Sequence, residues 1–216
     1  MHSYLKNTLS EQRVKTYEDL ARAPGETRTA EQLYRLNLLY SKELYVVLGA
    51  LEIIVRNSFH SAISRYYNKE DWFSLDLLLP KHKAQIDKAV EHLVREKKGH
   101  YVIGDIIAQL NFGFWVHLCD RPYEKKLWNR TLFSCFPYLG GRPDRINIER
   151  RLNACLRLRN KVAHLEPIIK YESTLIQEYR NIIQLMYAIC PETQKWFESL
   201  CQFEDIWNNR NGNQTK

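Results

Sequence analysis

Apolar residues recur at steps of three and four along most of the chain, which is the period of an α-helix that packs on one face. The clearest stripe consists of Leu33, Leu36, Tyr40, Leu44, Val47, Leu51 and Val55. Thr29 and Gln32 form a capping-box pattern before this stripe, so we expect a long helix that begins there and reaches about Tyr67. No segment alternates apolar and polar residues for long enough to predict a strand. The pattern predicts an all-α protein.

Proline, glycine and polar capping residues divide the rest of the chain into shorter helices. The further predicted helices cover residues 10–22, 80–98, 104–119, 122–133, 145–163, 172–190 and 191–207. Residues 137–143, which include two adjacent glycines, are the clearest predicted loop, and Pro167 marks another break. We interpret residues 1–216 as a single helical domain in which residues 208–216 form a flexible tail.

The composition fits one sizeable helical domain. Of the 216 residues, 44% are hydrophobic and 12% aromatic, which is enough to bury a core and argues against disorder. The five cysteines are odd in number and include no C-x-x-C pair, so we expect reduced thiols rather than disulfides or zinc ligands. The longest apolar run, residues 44–51, is far shorter than the ~20 residues that span a bilayer. We therefore expect a cytoplasmic protein with no membrane contact, no metal and no cofactor.

Positive charge is concentrated in the predicted helix 145–163 and just before it. The whole chain has a net charge of +7, and residues 142–161 alone contain seven cations and two acids, a net charge of +5. Such a field attracts a phosphate backbone. The residues that we expect to contact RNA are Arg150, Arg151, Arg157 and Lys161. A solvated helix face explains the same charge equally well.

An arginine and a histidine lie five positions apart at the end of this helix, just before Pro167. Arg159 is a permanent cation that can hold a phosphate through two parallel hydrogen bonds, and His164 can exchange a proton near neutral pH. Together they supply the minimum chemistry for cutting a phosphodiester without a metal. The spacing alone is not specific, because Arg95 and His100 have it too.

Helical geometry sets a condition on this pair. Five residues of a regular helix turn by about 500°, which leaves the two side chains about 140° apart. They converge best if the helix ends or distorts between them, and Pro167 disfavours helical conformation at Glu166. The alternative interpretation is a histidine at a helix C-terminus and an unrelated surface arginine.

Two further groups have both a structural and a functional interpretation. Glu52, Arg56 and His60 follow one another at four-residue steps and share a helix face. They form either an intrahelical Glu–Arg pair or a polar wall beside His164. Residues 110–115 are dense in aromatic side chains, which either fill the core or stack on unpaired RNA bases.

Three stretches carry a resemblance to a known family: residues 51–57 (LEIIVRN), residues 110–115 (LNFGFW) with Tyr123, Glu124, Leu127 and Trp128, and residues 158–164 (LRNKVAH) with Glu166, Pro167 and Ile168. They resemble the Abi-like (abortive infection) family of bacterial phage-defence proteins, over about residues 8–190 and in the family's order. That family is similar to HEPN domains, α-helical RNases with an Arg-x4–6-His motif whose first variable position is polar. Arg159, Asn160 and His164 match this motif.

The resemblance implies a HEPN-like helical bundle with additional N- and C-terminal helices, and metal-independent cleavage of single-stranded RNA. His164 would act as general acid or base at the ribose 2′-hydroxyl and the leaving oxygen. Arg159 would stabilise charge on the scissile phosphate, and Asn160 would orient the phosphate or a neighbouring group. The residues expected to support the site are Glu52, Arg56 and Glu166. The expected products are a 2′,3′-cyclic phosphate and a 5′-hydroxyl.

One chain contains one complete motif, so the resemblance implies a homodimer with a site where two copies meet. The implied role is the toxic effector of an antiphage or toxin–antitoxin system, restrained by an RNA or protein antitoxin. Two alternatives from other functional classes stay open. One is a non-catalytic RNA-binding module that holds a structured RNA, and the other is a helical scaffold for protein interactions.

Overall fold

The computed structural model describes residues 3–210, and over this range the chain forms α-helices joined by short 3-10 and π turns, without a strand. The α-helices are α1 (Ser3–Thr8), α2 (Glu11–Ala21), α3 (Ala30–Tyr67), α4 (Pro80–Glu96), α5 (Ile103–Gln109), α6 (Phe112–His117), α7 (Arg145–Ala163), α8 (Glu172–Ile189), α9 (Pro191–Glu198) and α10 (Phe203–Asn208). The prediction of an all-α protein is confirmed.

The long helix α3 is the central element of the fold. The predicted capping box is present, since the Thr29 hydroxyl accepts from the Gln32 N–H at 3.2 Å and the Gln32 side chain accepts from the Thr29 N–H at 2.8 Å. The helix ends at Tyr67, before Asn68 in the left-handed conformation (φ 48°). Its buried stripe packs against α2, α7 and α8. Because α3 contacts each of these helices, it fixes where the candidate residues on α7 lie.

The aromatic residues 110–115 belong to the core. Phe112 and Trp115 have no exposed surface, and Phe114 packs edge-on against the buried ring of His82 with centroids 5.5 Å apart. An RNA base cannot reach these rings, so the stacking interpretation is wrong.

The single helix predicted over residues 104–119 is two helices, α5 and α6. The break falls at Asn111, whose side chain accepts a hydrogen bond from the Phe114 N–H at 3.0 Å. Asparagine is favoured at a helix N-cap because its short side chain satisfies an otherwise unpaired N–H there. The polar residue therefore starts a new helix rather than continuing the old one.

The single helix predicted over residues 191–207 is also divided, into α9 and α10. Between them the Gln202 N–H donates to the carboxylate of Glu43, a buried residue of α3, at 2.8 Å. The carboxylate satisfies a backbone group that a continuous helix would have paired internally. A distant residue thus makes the break favourable.

The amphipathic α-helix predicted over residues 122–133 is replaced by two 3-10 turns, Arg121–Tyr123 and Leu132–Cys135, around a π-helix, Glu124–Trp128. The buried apolar side chains here are Tyr123, Leu127, Trp128 and Leu132. Tyr123 precedes the adjacent pair Leu127 and Trp128 by four and five residues, and Leu132 follows that pair by five and four; these separations exceed the α-helical period of 3.6. The wider π turn, closed by a 2.9 Å bond from the Asn129 N–H to the Glu124 carbonyl, brings them to the core together.

The C-terminal end of the described chain packs onto the core. Phe203 stacks on Tyr179 with centroids 4.7 Å apart, and the guanidinium of Arg210 lies 4.1 Å from the ring centroid of Trp207. Of residues 208–210, which we expected in a flexible tail, Asn208 is the last residue of α10 and Arg210 contacts Trp207. The rest of that predicted tail, residues 211–216, lies outside the described residues.

The five cysteines are free thiols, three of them buried. Burial raises the pKa of Cys135 and of Cys155 to about 12, which keeps both protonated and unreactive at neutral pH. Across residues 3–210, no helix has the length and apolar character needed to cross a membrane.

Candidate active site

The candidate residues lie on α7, whose predicted extent is confirmed. Asp144 caps its first turn by accepting from the Asn147 N–H at 2.8 Å, and His164 is its C-cap. The face toward the core carries Ile148, Leu152, Cys155, Leu158 and Val162, all buried. This apolar face fixes the rotation of the helix, so it decides which of the charged residues meet solvent.

Arg159 lies at the border between the buried and the open face of α7. Its Nε lies 3.4 Å from a carboxylate oxygen of Glu52 on α3, and its side chain remains 38% exposed. The Arg159 guanidinium also donates to the Asn160 side chain at 3.5 Å. Glu52 therefore orients the arginine from the neighbouring helix, and the guanidinium keeps free donors at the surface.

The predicted polar wall on α3 is only partly assembled. Glu52 turns to Arg159, whereas the Arg56 Nε donates to the Asn57 side chain at 3.3 Å. His60 accepts from the indole N–H of Trp72 at 3.1 Å, and burial lowers the pKa of His60. His60 is thus a structural residue that orients a core tryptophan.

His164 is exposed and directly follows the last residue of a regular helix. The helix continues through Ala163, so it neither ends nor distorts between Arg159 and His164. The two side chains therefore project from the axis about 140° apart, as the ideal helix requires. Within one chain the pair lies on two sides of the helix end and does not converge on one point.

The segment after His164 is held in place by polar contacts that the sequence analysis missed. Arg13 of α2 donates to the Leu165 carbonyl at 2.9 Å, and Leu165 has a left-handed φ of 50°. The fully buried Asn37 of α3 donates to the Glu166 carbonyl at 3.2 Å and accepts from the Ile169 N–H at 3.0 Å. These bonds fix the turn, while the Glu166 side chain itself is exposed.

The four predicted RNA-binding cations face different directions. Arg150 is exposed, whereas Arg151 points to α8, where it donates to Asn181 at 2.7 Å and to Gln184 at 3.1 Å. Burial lowers the pKa of the Arg151 guanidinium. Arg151 thus joins two helices, and the remaining cations, Arg157 and Lys161, line a cleft between α7 and α8.

Over the described part of the chain, no three His, Cys, Asp or Glu side chains lie close enough to share a metal ion. Comparisons with protein families, with curated proteins and with solved structures found no match to this chain.

Proposed function

We propose that this protein is a metal-independent endoribonuclease that cleaves single-stranded RNA. The observation that carries the proposal is the arrangement at the end of α7. There, Glu52 orients a half-exposed Arg159, and His164 is exposed on an anchored turn. A phosphate-binding cation and a titratable base at one surface suit transfer of the phosphoryl group to the ribose 2′-oxygen.

In the proposed reaction, His164 takes the proton of the 2′-hydroxyl as the 2′-oxygen attacks the phosphorus. The bond from phosphorus to the 5′-oxygen breaks, and that oxygen leaves with a proton donated by a water molecule. The products are a 2′,3′-cyclic phosphate and a 5′-hydroxyl. Arg159 binds the non-bridging oxygens, where negative charge grows, and Asn160 helps to orient the guanidinium.

A homodimer completes the site in this proposal, because Arg159 of one copy acts together with His164 of another copy. The open face of α3 offers a surface for that copy, because it carries four exposed apolar residues at helical spacing: Leu38, Tyr45, Val46 and Ile53. Ile53 follows Glu52 in sequence, so a second copy packed on this face of α3 meets the Glu52–Arg159 pair at the edge of the face. In the proposed dimer, the contact between the copies is thus adjacent to the candidate site.

The biological role that we propose is a cytoplasmic effector of abortive infection. An RNA or protein antitoxin restrains its cleavage of RNA until a phage infects the cell. The support for this role is the resemblance of the three sequence stretches, which includes the residues of the candidate site.

Cleavage of a labelled single-stranded RNA in EDTA tests the enzymatic proposal. We expect the parent protein to cut the RNA, and Arg159→Ala and His164→Ala to slow cleavage by about a hundredfold or more. The matched controls are Arg95→Ala and His100→Ala, which have the same spacing at the end of α4. Equal rates for the parent protein and the two α7 variants would contradict the mechanism.

The competing function is a non-catalytic RNA-binding module. The divergence of Arg159 and His164 around the helix favours it, because a single chain does not bring the two groups to one phosphate. This alternative predicts RNA affinity that falls steeply with salt, survives His164→Ala, and yields no cleavage product. A binding titration with the same RNA therefore separates the two functions.

A further inference from the structure

A small cleft opens between α7 and α8, and Lys161, the last residue of α7 that lines it, precedes His164 by three positions. It has a volume of about 60 Å³, and the 3-10 turn Ile168–Tyr171 forms one of its walls. The floor is apolar, made by the buried side chains of Leu158 and Leu175. Three charged side chains and a tyrosine ring surround this floor: Arg157, Lys161, Glu178 and Tyr171.

The charged groups of the cleft are not neutralised by close contacts. Among the described residues, the side chains of Arg157 and Glu178 make no hydrogen bond or ion pair, although Arg157 and Lys161 lie close enough to act on the Glu178 carboxyl. Burial raises the pKa of that carboxyl, and the charges of Lys161 and Arg157 lower it in part. A half-buried carboxylate without a donor gains from a ligand that supplies N–H groups.

The tyrosine provides a flat surface at the mouth of the cleft. Tyr171 is 49% exposed, and the Lys161 ammonium lies 3.7 Å from its ring centroid. The ammonium lies over one face of the ring, so a base would stack on the other face. Such a ring can stack on an unpaired base while the neighbouring cation meets a phosphate.

We propose that this cleft binds a guanine nucleotide of the RNA, next to the bond that is cut. Guanine presents two adjacent donors, N1–H and the 2-amino group, which match the two oxygens of the Glu178 carboxylate. Adenine and cytosine present one amino donor beside an acceptor nitrogen, and the uracil N3–H lies between two carbonyl oxygens that repel a carboxylate. Arg157 and Lys161 hold the phosphate of the same nucleotide.

The position of the cleft fits a nucleotide adjacent to the scissile bond. Lys161 and Arg157 precede His164 by three and seven residues, and all three project within about 60° of one another around the axis. The rise from Lys161 to His164 is about 4.5 Å, which is less than the length of one nucleotide. This inference rests on the proposed ribonuclease function and assigns it a base preference.

The test uses His164→Ala protein and fluorescent six-nucleotide RNAs of uridine with a single guanine, inosine or adenine at one position. We expect about tenfold tighter binding of the guanine hexamer than of the adenine hexamer, as for a bidentate base contact. Inosine, which lacks the 2-amino group, should fall between them. Glu178→Gln in the same background should reduce the preference to less than about threefold, and the control Gln177→Ala, an exposed α8 neighbour, should retain it.

The outcomes separate this inference from the proposed function. Guanine-selective binding that depends on Glu178 supports the cleft even if the protein with His164 intact cuts no RNA. Cleavage of RNA without a guanine preference in binding, or a preference unchanged in Glu178→Gln, overturns it. Free guanosine monophosphate is added as a competitor. If it binds more tightly than the guanine hexamer, the ligand is a free nucleotide and the assignment to RNA is wrong.

Discussion

His82 is a buried histidine of α4 that is held neutral by its surroundings. Its side chain is 1% exposed, and its Nδ1 lies 2.6 Å from the Tyr123 hydroxyl, which itself accepts from the Leu79 N–H at 3.0 Å. The contact joins an imidazole to a phenol, and the tautomer of the ring sets which of the two donates. Burial, with the charge of Lys81, lowers the pKa of His82 to about 4.

This depressed pKa predicts a loss of stability in mild acid. Between the ordinary histidine pKa of about 6.5 and the folded value of about 4, the unfolded chain binds a proton that the folded chain does not. The free energy of unfolding therefore falls as the pH drops through this window, by up to about 3 kcal/mol. Urea unfolding at several pH values between 7 and 4 measures the slope.

A matched pair of variants assigns that slope to His82. An asparagine side chain at position 82 can still hydrogen-bond with the Tyr123 hydroxyl but does not titrate. His82→Asn should therefore flatten the dependence of the free energy of unfolding on pH. His92→Asn, on the same helix but half exposed, should leave it unchanged. Equal slopes for the parent protein and His82→Asn would assign the acid sensitivity to other groups.

Glu52 is a positioning residue in the proposed site. Its pair with Arg159 is partly exposed, so Glu52→Gln should change the free energy of unfolding by less than about 1 kcal/mol. The same change releases the guanidinium, and we expect kcat for RNA cleavage to fall about tenfold with little change in KM. The control is Glu91→Gln on the exposed surface of α4. A kcat that is the same for both variants would leave Glu52 with no role in positioning.

At the residue scale, the sequence selects candidate side chains better than it predicts their partners. Arg159, Asn160 and His164 were selected from the motif, and Glu52 from its helix face. Asn37 was missed, although a polar residue between Leu36 and Tyr40 of an apolar stripe is a readable signal. Its partners lie about 130 positions away, and no local pattern encodes contacts at that separation.

At the scale of elements, the N-cap Asn111 begins α6, the helix that carries the buried aromatic residues Phe112, Phe114 and Trp115. Asn111→Ala removes the bond to the Phe114 N–H and should lower the free energy of unfolding by about 1 kcal/mol. Gln109→Ala, two residues earlier and exposed, should change it by less than about 0.5 kcal/mol. Urea midpoints with unchanged slopes give both values. An equal loss in the two variants would mean that the cap contributes no specific stability.

Helices whose ends carry local signals were predicted well. The capping box opens α3, and α7 matches its predicted extent because an apolar stripe and Asp144 define it. The segment 122–133 was not predicted well, because its π turn forms to bury side chains four to five residues apart against the rest of the fold. The break before α10 depends on Glu43 in the same way. Sequence periodicity therefore cannot predict helix ends that depend on distant partners.

At the scale of the whole molecule, the proposed site is incomplete in one chain. Arg159 and His164 leave α7 about 140° apart, whereas Ile53, one of the exposed apolar residues of α3, is the sequence neighbour of Glu52. A two-fold dimer on this face uses the same surface of both copies. It allows Arg159 of one copy and His164 of the other to act on one phosphate.

Mixing two inactive variants tests this arrangement directly. Arg159→Ala and His164→Ala proteins are combined and left to exchange subunits. Half of the dimers then contain one of each, with one of two composite sites intact, so we expect about a quarter of the parent cleavage rate. Adding Tyr45→Glu to both proteins places a charge on the α3 face and should abolish the recovery, whereas Val94→Glu on α4 should not.

Recovery of cleavage in the mixture requires that Arg159 and His164 act from different chains. If the mixture stays inactive while a tag on one variant co-purifies the other, both groups must act from the same chain, and the helix end must rearrange when RNA binds.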